Sequence, residues 1–332
     1  RYTQDPELKS ILKATVEDLL SVQNPNGSIS CTPEEQQPGG ENGDLWERKY
    51  VMLGLDEYYR WVEQNPAVLE ALKKHADCLI AQIGHAPKTE IVDLGWSATN
   101  IGHEACHIES STLLEPFMRL YNWTGEQRYL DFASYIVESG GTKHFDLIQQ
   151  ACDNTLPYKM SGHYPKAYEM MSCLEGLVDY WRVTGDEKAL KAASNIRDQL
   201  LRDEKNILSS VGYNDMFVGG ANQINAITEP CDAIHWMRLN KELFLSSGDP
   251  KYLDEMEDTF YNAFLAGVSR DGKWGARGVR SHGYHFVAKP QVGMKYNHCC
   301  VDNMPRGFLD FAQTALSRSG GEIFVNFYSP FK

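Results

Sequence analysis

Thr124-Gly125-Glu126 returns as Thr184-Gly185-Asp186 and again as Ser247-Gly248-Asp249-Pro250, at spacings of 60 and 63 residues. Each copy follows an aromatic-rich apolar stretch. Its glycine suits the left-handed end of one helix, and its acid suits the start of the next. Tyr129-Leu130, Ala189-Leu190 and Tyr252-Leu253 then take equivalent places, and about 60 residues upstream Gln64-Asn65-Pro66 breaks two helical runs in the same register. A period of that size fits two helices of ~15 to 20 residues with their connections. Between the turns, apolar residues fall at helical spacing, as in Leu113, Leu114, Phe117, Met118, Leu120 and Tyr121, or Met170, Met171, Leu174, Leu177, Val178 and Trp181.

Hairpins stacked side by side either continue as an open solenoid or curve into a ring, and six of them close a double layer of inner and outer helices. The expected fold is therefore all-α, an (α/α)6 toroid spanning residues 1–320. Residues 322–328 alternate like a strand behind Gly320-Gly321, so 321–332 reads as the start of a truncated β-sandwich domain. Long polar connections run from Asn24 to Asp44, His85 to Ile108, Lys205 to Glu229 and Asp271 to His298. At one end of a toroid they would build a pocket.

Composition narrows the function. The 332 residues carry 45 acidic against 32 basic side chains, a formal charge of -13, and no basic stripe, which argues against nucleic acid as a partner. No stretch approaches the ~20 apolar residues of a membrane span, so no membrane partner is expected. The sequence starts without Met, which is compatible with a removed signal peptide; bacterial periplasmic, secreted and cytoplasmic locations all stand. A homodimer is likewise left open. Eight cysteines are too few for a disulfide scaffold in so long a chain, and they read as mostly reduced thiols.

Cys299 and Cys300 are adjacent, a poor geometry for a mutual disulfide but a good one for a soft metal. Glu229-Pro230-Cys231 adds a carboxylate and a third thiol just before a helix predicted from Ile234 to Leu245, whose N-terminus favours thiolate. Glu229, Cys231, Cys299 and Cys300 would complete tetrahedral zinc; the plainer reading makes the cysteines small core residues.

His103-Glu104-Ala105-Cys106-His107 matches the zincin pattern in letters, but its surroundings predict a loop, leaving His103 and His107 as pocket residues that could contact substrate. His163 and His298 lie near helix ends, where structural and substrate-binding roles both occur. Trp46, Trp96, Trp181, Trp236 and Trp274 could stack on sugars or fill the core, the helical spacing of Trp181 and Trp236 favouring core. Asn26-Gly27-Ser28 and Asn122-Trp123-Thr124 match a glycosylation pattern too short to carry weight.

Glu229-Pro230-Cys231, Trp236-Met237-Arg238-Leu239-Asn240, His298-Cys299-Cys300 and Asn303-Met304-Pro305-Arg306-Gly307 together resemble the β-L-arabinofuranosidase family, glycoside hydrolase family 127, and the Gly162-His163 segment before a long helix agrees. The resemblance covers nearly the whole chain. It implies an (α/α)6 barrel followed by β domains, a carbohydrate substrate, and Zn2+ held by Glu229, Cys231, Cys299 and Cys300. It further implies that Cys299 is the nucleophile of a retaining, two-step hydrolysis.

The family places its proton-donating Glu where this sequence has Tyr213, in Gly212-Tyr213-Asn214-Asp215-Met216-Phe217. Asp215, two residues on, or Tyr213 itself would have to act as the acid. That departure motivates a second reading, a noncatalytic carbohydrate-binding or scaffolding toroid with a structural zinc.

Overall fold

The computed structural model describes residues 4–41, 43–97, 106–155, 165–219, 227–269, 272, 275–276, 278–280 and 299–328. In chain order its helices are α1 (Pro6–Ser21), α2 (Asp44–Trp61), α3 (Pro66–Gln82), α4 (Ile108–Ser111), α5 (Leu114–Thr124), α6 (Gln127–Glu138) and α7 (Leu147–Cys152). They continue with α8 (Ala167–Thr184), α9 (Glu187–Asp203), α10 (Pro230–Ser247) and α11 (Lys251–Thr259). After α11 come a π-helical turn at Phe260–Phe264, α12 (Leu265–Gly267), α13 (Cys299–Asp302) and α14 (Met304–Thr314).

The repeated turn is reproduced atom for atom. Gly125, Gly185 and Gly248 adopt φ of 63°, 71° and 70°. Each donates its amide to the carbonyl four residues back, Tyr121, Trp181 or Phe244, at 2.7 Å. The preceding hydroxyl does double duty. Thr124, Thr184 and Ser247 donate to the carbonyls of Leu120, Tyr180 and Leu243, and each accepts the amide of the acid two residues on at 3.2 Å. Asp186 and Asp249 then cap their new helices by accepting from the amides of Lys188 and Lys251 at 3.0 Å.

These turns pair α5 with α6, α8 with α9 and α10 with α11, while α2 pairs with α3 across the Asn65 cap. Among the described residues, five long helices line a common axis: α2, α5, α8, α10 and α14 all contribute walls to one cavity of about 600 Å³. Neighbours in that ring touch directly, α2 on α5, α5 on α8, α8 on α10 and α10 on α14. Tyr50 and Arg306 join the first of them to the last, with a guanidinium-to-hydroxyl hydrogen bond of 3.4 Å across 256 residues of sequence. At Gly176 α5 and α8 approach closely; a Cβ there would lie 3.0 Å from both the Glu115 amide nitrogen and Leu114 Cβ.

The outer helices α3, α6, α9 and α11 bury one stripe and expose the other, whereas α8 and α10 are buried along most of their length. Trp236 fills the core as expected, fully buried, and Trp181 packs on it partly buried. The axis itself is polar. Arg238 on α10 reaches Asp310 at 2.9 Å, Glu175 at 3.1 Å and Glu115 at 3.3 Å, and Lys49 donates to Ser172.

Strands are few. β1 (Ile227–Thr228) pairs antiparallel with β2 (Val279–Arg280), and β3 (Leu316–Ser319) with β4 (Glu322–Val325), in register Leu316↔Val325. The strand expected behind Gly320-Gly321 is β4, but it folds back on β3, which the sequence did not signal because Leu-Ser-Arg-Ser has no apolar alternation. Phe327 pins this hairpin to the barrel, its ring stacked 4.2 Å from Phe311, itself 3.8 Å from Phe260. No helix among the described residues is long and apolar enough to cross a membrane.

Candidate functional site

Helix α10 begins four residues earlier than the apolar pattern suggested. Pro230 occupies the first helical position, where its missing N–H and fixed φ cost nothing, and Glu229 is the N-cap residue. Cys231 therefore sits within the first turn. Cys299 and Cys300 open α13, so two helix N-termini, 68 and 69 residues apart in sequence, converge on the same point.

There the four expected ligands meet. The sulfurs stand at 3.5 Å (Cys231 and Cys300), 3.8 Å (Cys231 and Cys299) and 3.9 Å (Cys299 and Cys300). Glu229 Oε2 is 3.1 Å from Cys300 Sγ and 3.7 Å from Cys231 Sγ. All four donor atoms lie within 4.8 Å of one another, an arrangement that could hold a metal ion. Sulfurs this far apart are not bonded, and all eight cysteines are free. Burial pushes the thiols of Cys231 and Cys300 well up, since the charged form is penalised away from water. Cys299 alone of the three is partly exposed.

Tyr168, Cys231 and Cys300 form a small buried cluster of their own, with Trp46, Tyr50 and Cys299 packed around it. Tyr168 meets Tyr50 hydroxyl to hydroxyl and accepts from Asn303 Nδ2 at 2.9 Å. Beneath it His235 lies 4.2 Å away, ring to ring, and bonds Glu175 at 2.7 Å. This end of the ring carries the N-terminal turns of α2, α8, α10 and α13. The 600 Å³ cavity is lined by residues such as Trp61, Arg182, Glu242 and Gln313, is bordered by Tyr50 and Arg306, and contains none of the four ligands.

Asp215 is buried beside this centre. Its Oδ2 pairs with Lys166 Nζ at 2.7 Å, its Oδ1 accepts the Tyr168 amide at 3.3 Å, and Lys166 also reaches Glu169 at 3.0 Å. Burial pushes the Asp215 carboxyl up from its ordinary range, Lys166 offsets part of the rise, and Cys299 acts on it through space. Asp232, next to Cys231 and fully buried, is pushed up by burial and by Asp215 and Glu229. Asn214 and Asp215 both adopt left-handed backbone, φ 48° and 62°, a strained pair for residues with a Cβ.

Gly212 holds the loop in place: at φ 91° its Cβ position lies 2.7 Å from Asp232 Oδ2, so the loop closes on a carboxyl that only glycine admits. Tyr213 is half-buried, its amide bonded to Met216 O at 2.8 Å.

His107 is buried in left-handed backbone at φ 56°, preceded by Cys106 at φ 65°. A zincin needs its second histidine inside a helix, so the pattern is one of letters only. The His107 ring lies 6.5 Å from that of His144. His103, His163 and His298 lie outside the described residues, as does Trp274. Lys166, Tyr168, Glu169 and Asp232 were not singled out in the sequence. Asp232, directly after a candidate thiol ligand and at a helix start, carried the nearest thing to a signal.

Residues 1–313 match the family model described as β-L-arabinofuranosidase, GH127 catalytic domain. The chain belongs to that family. A curated relative of the GH127 chain, the non-reducing end β-L-arabinofuranosidase of Bifidobacterium longum subsp. longum, is 22% identical over 92% of this chain and 51% of its own length. A GH127 β-L-arabinofuranosidase from Geobacillus stearothermophilus T6 superposes with a TM-score of 0.74 at 18% identity, covering 98% of this chain and 55% of that one. A further GH127 β-arabinofuranosidase structure gives 0.74 at 20% identity, with coverages of 98% and 52%. These likenesses show the fold as the (α/α)6 toroid class. The chain spans about half the length of the relatives it matches.

Proposed function

We propose that this GH127 domain is a zinc-dependent retaining glycoside hydrolase that releases β-L-arabinofuranose or a related sugar from glycans, with Cys299 as nucleophile. The supporting observation is the convergence of Glu229, Cys231, Cys299 and Cys300. Zinc bound to sulfur at ~2.3 Å and to oxygen at ~2.0 Å demands tetrahedral edges of about 3.8 Å between sulfurs and about 3.5 Å from sulfur to oxygen. The sulfurs stand 3.5 to 3.9 Å apart and the oxygen 3.1 to 3.7 Å from two of them. Three thiols and a carboxylate are the soft, anionic set that zinc prefers. A cation there would hold Cys299 as thiolate at neutral pH despite its buried neighbours.

Cys299 is the partly exposed thiol of the set and so the sulfur a substrate can reach. Its sulfur attacks the anomeric carbon, the bond to the leaving oxygen breaks, and that oxygen takes a proton from Asp215. Water then displaces the sulfur, returns its proton to Asp215 and restores the thiolate, so two inversions give net retention. Asp215 is preferred over Tyr213 because it lies buried within reach of Cys299 electrostatically and its carboxyl is raised toward a working acid's range.

The test is sugar release from arabinose-containing glycans by the zinc-loaded protein and by Cys299→Ser. The variant is expected to keep its fold and to lose turnover by on the order of a thousandfold or more. Equal turnover would remove Cys299 from the mechanism. Tyr213, standing where the family carries its acid, favours the second reading of a sugar-binding toroid with structural zinc. Glycan binding by calorimetry without release of sugar across a broad panel would select it.

A further inference from the structure

Two partly buried tryptophans, Trp46 and Trp96, stand at the thiol end of the ring. Trp46, in the first turn of α2, packs against the Tyr168, Cys231 and Cys300 cluster and is only partly buried. Its ring lies 4.9 Å from Tyr168 and 5.3 Å from Tyr50, both edge-on, and 6.0 Å from Trp96. Lys49 Nζ sits 4.5 Å from its centroid. Trp96 is also partly buried, with Lys166 Nζ 5.0 Å from its centroid, and it rests on Gly43, where a Cβ would come within 3.3 Å of the ring.

The pair is thus held by the rings of Tyr50 and Tyr168, by Lys49 and Lys166, and by Gly43, while both residues keep accessible surface. Trp236, by contrast, is fully buried in the core. The polar counterpart is close by: Lys166 ties Trp96 to Asp215 and Glu169, and Cys299 touches the same cluster as Trp46.

A furanose or pyranose ring has matching chemistry, an apolar C–H face and an edge of hydroxyls that both donate and accept. Partly accessible aromatic surface with charged hydrogen-bonding groups beside it, next to a partly exposed thiol, is an arrangement that can bind and orient such a ring. We infer that Trp46, with Trp96 tilted 57° beside it, is the stacking residue for the sugar that reacts at Cys299, with Lys166 the donor to its hydroxyl edge. This assignment rests on the hydrolase reading above, which adds the reaction; the binding role is separable from it. Trp46 and Trp96 are positioning residues, so their loss acts on affinity for the sugar ring more than on the chemical step.

The experiment compares wild type, Trp46→Ala, Trp46→Phe and Trp96→Ala, each with zinc content and melting temperature recorded. The readouts are calorimetric affinity for L-arabinose and, for a synthetic arabinoside, the split between KM and kcat. Trp46→Ala is expected to weaken L-arabinose binding and raise KM by the same factor, tenfold or more, with kcat changed less than threefold and zinc retained. Trp46→Phe keeps an aromatic face and is expected to stay within threefold of wild type, which a merely structural role at this packed position would not ensure. Unchanged L-arabinose affinity and KM in metal-loaded Trp46→Ala would overturn the inference. So would a loss confined to kcat. A wild type that binds L-arabinose but releases no sugar overturns the hydrolase reading while the affinity arm still decides on Trp46, and a wild type that binds none overturns both.

Discussion

Cys231 and Cys300 hold their sulfurs 3.5 Å apart although 69 residues of chain separate them. With no cation between them, burial and proximity disfavour charge on either sulfur. A bound divalent ion would reverse that preference and tie α10 to α13, coupling metal binding to folding. Protein purified under reducing conditions is expected to carry about one zinc per chain. Cys231→Ser or Cys300→Ala is expected to lower metal content by tenfold or more at limiting zinc, and chelation to lower the Tm of the wild type by several degrees. Elemental analysis and thermal melts check both; a chelated protein that melts like the loaded one would disconnect the cluster from stability.

Asp215 and Tyr213 separate by leaving group. Replacing a general acid costs about 10²- to 10⁴-fold when the departing oxygen is strongly basic and little when it is not. Asp215→Asn is expected to lose kcat in that range on an alkyl arabinoside, and to recover most of it on an acidic aryl arabinoside. Tyr213→Phe is expected to stay within about threefold on both, as suits a residue that makes no proton transfer. The reverse pattern would move the acid to Tyr213.

Arg238 offers three directions of its guanidinium to Asp310, Glu175 and Glu115 inside the ring, with only 7% of its surface exposed. Arg238→Met would leave three buried carboxyls facing one another, at a cost of about 3–5 kcal/mol. Arg238→Lys is expected to recover only part, because a single ammonium cannot reproduce the fork. Urea unfolding of the three proteins measures this directly.

Glu109 is buried, its carboxyl oxygens have no hydrogen-bond partner in any other described residue, and burial pushes it from 4.5 up to about 9. The folded protein therefore keeps a proton that the unfolded chain releases, so stability falls as pH rises from about 4.5 to about 9. Glu109→Gln is neutral at every pH. It is expected to flatten that part of the Tm profile and to raise the Tm most at the alkaline end; parallel profiles would argue that Glu109 does not titrate in this window.

What the sequence disclosed was whatever chemistry is local or rare. The three Gly turns were legible because each is complete within six residues, hydroxyl, glycine and acid together. The ligand set was legible because adjacent thiols seldom occur without a reason and because the family's spacing matched. The start of α10 was missed because the apolar pattern begins only at Ile234; Glu229 as cap and Pro230 at the first helical position were the signal to use.

Lys166, Glu169 and Asp232 were not legible, since charged residues in the first turns of helices look like ordinary solvent-facing ones. They become a buried set only when the Gly212 loop, which runs between α9 and α10, closes over α8. The Phe260–Phe264 π turn and strand β3 left no sequence trace at all.

The latch between Tyr50 and Arg306 sets an order of events during synthesis. Helices α2 to α11 can associate with their neighbours as they leave the ribosome, because each new hairpin leans on the one just made. The thiols of Cys299 and Cys300, and the guanidinium of Arg306 that reaches back to Tyr50, arrive only 40 to 47 residues after α11 ends at Thr259. A ribosome halted before that point would release a stack of helices with half of the thiol cluster and without the Tyr50–Arg306 bond between its two edges.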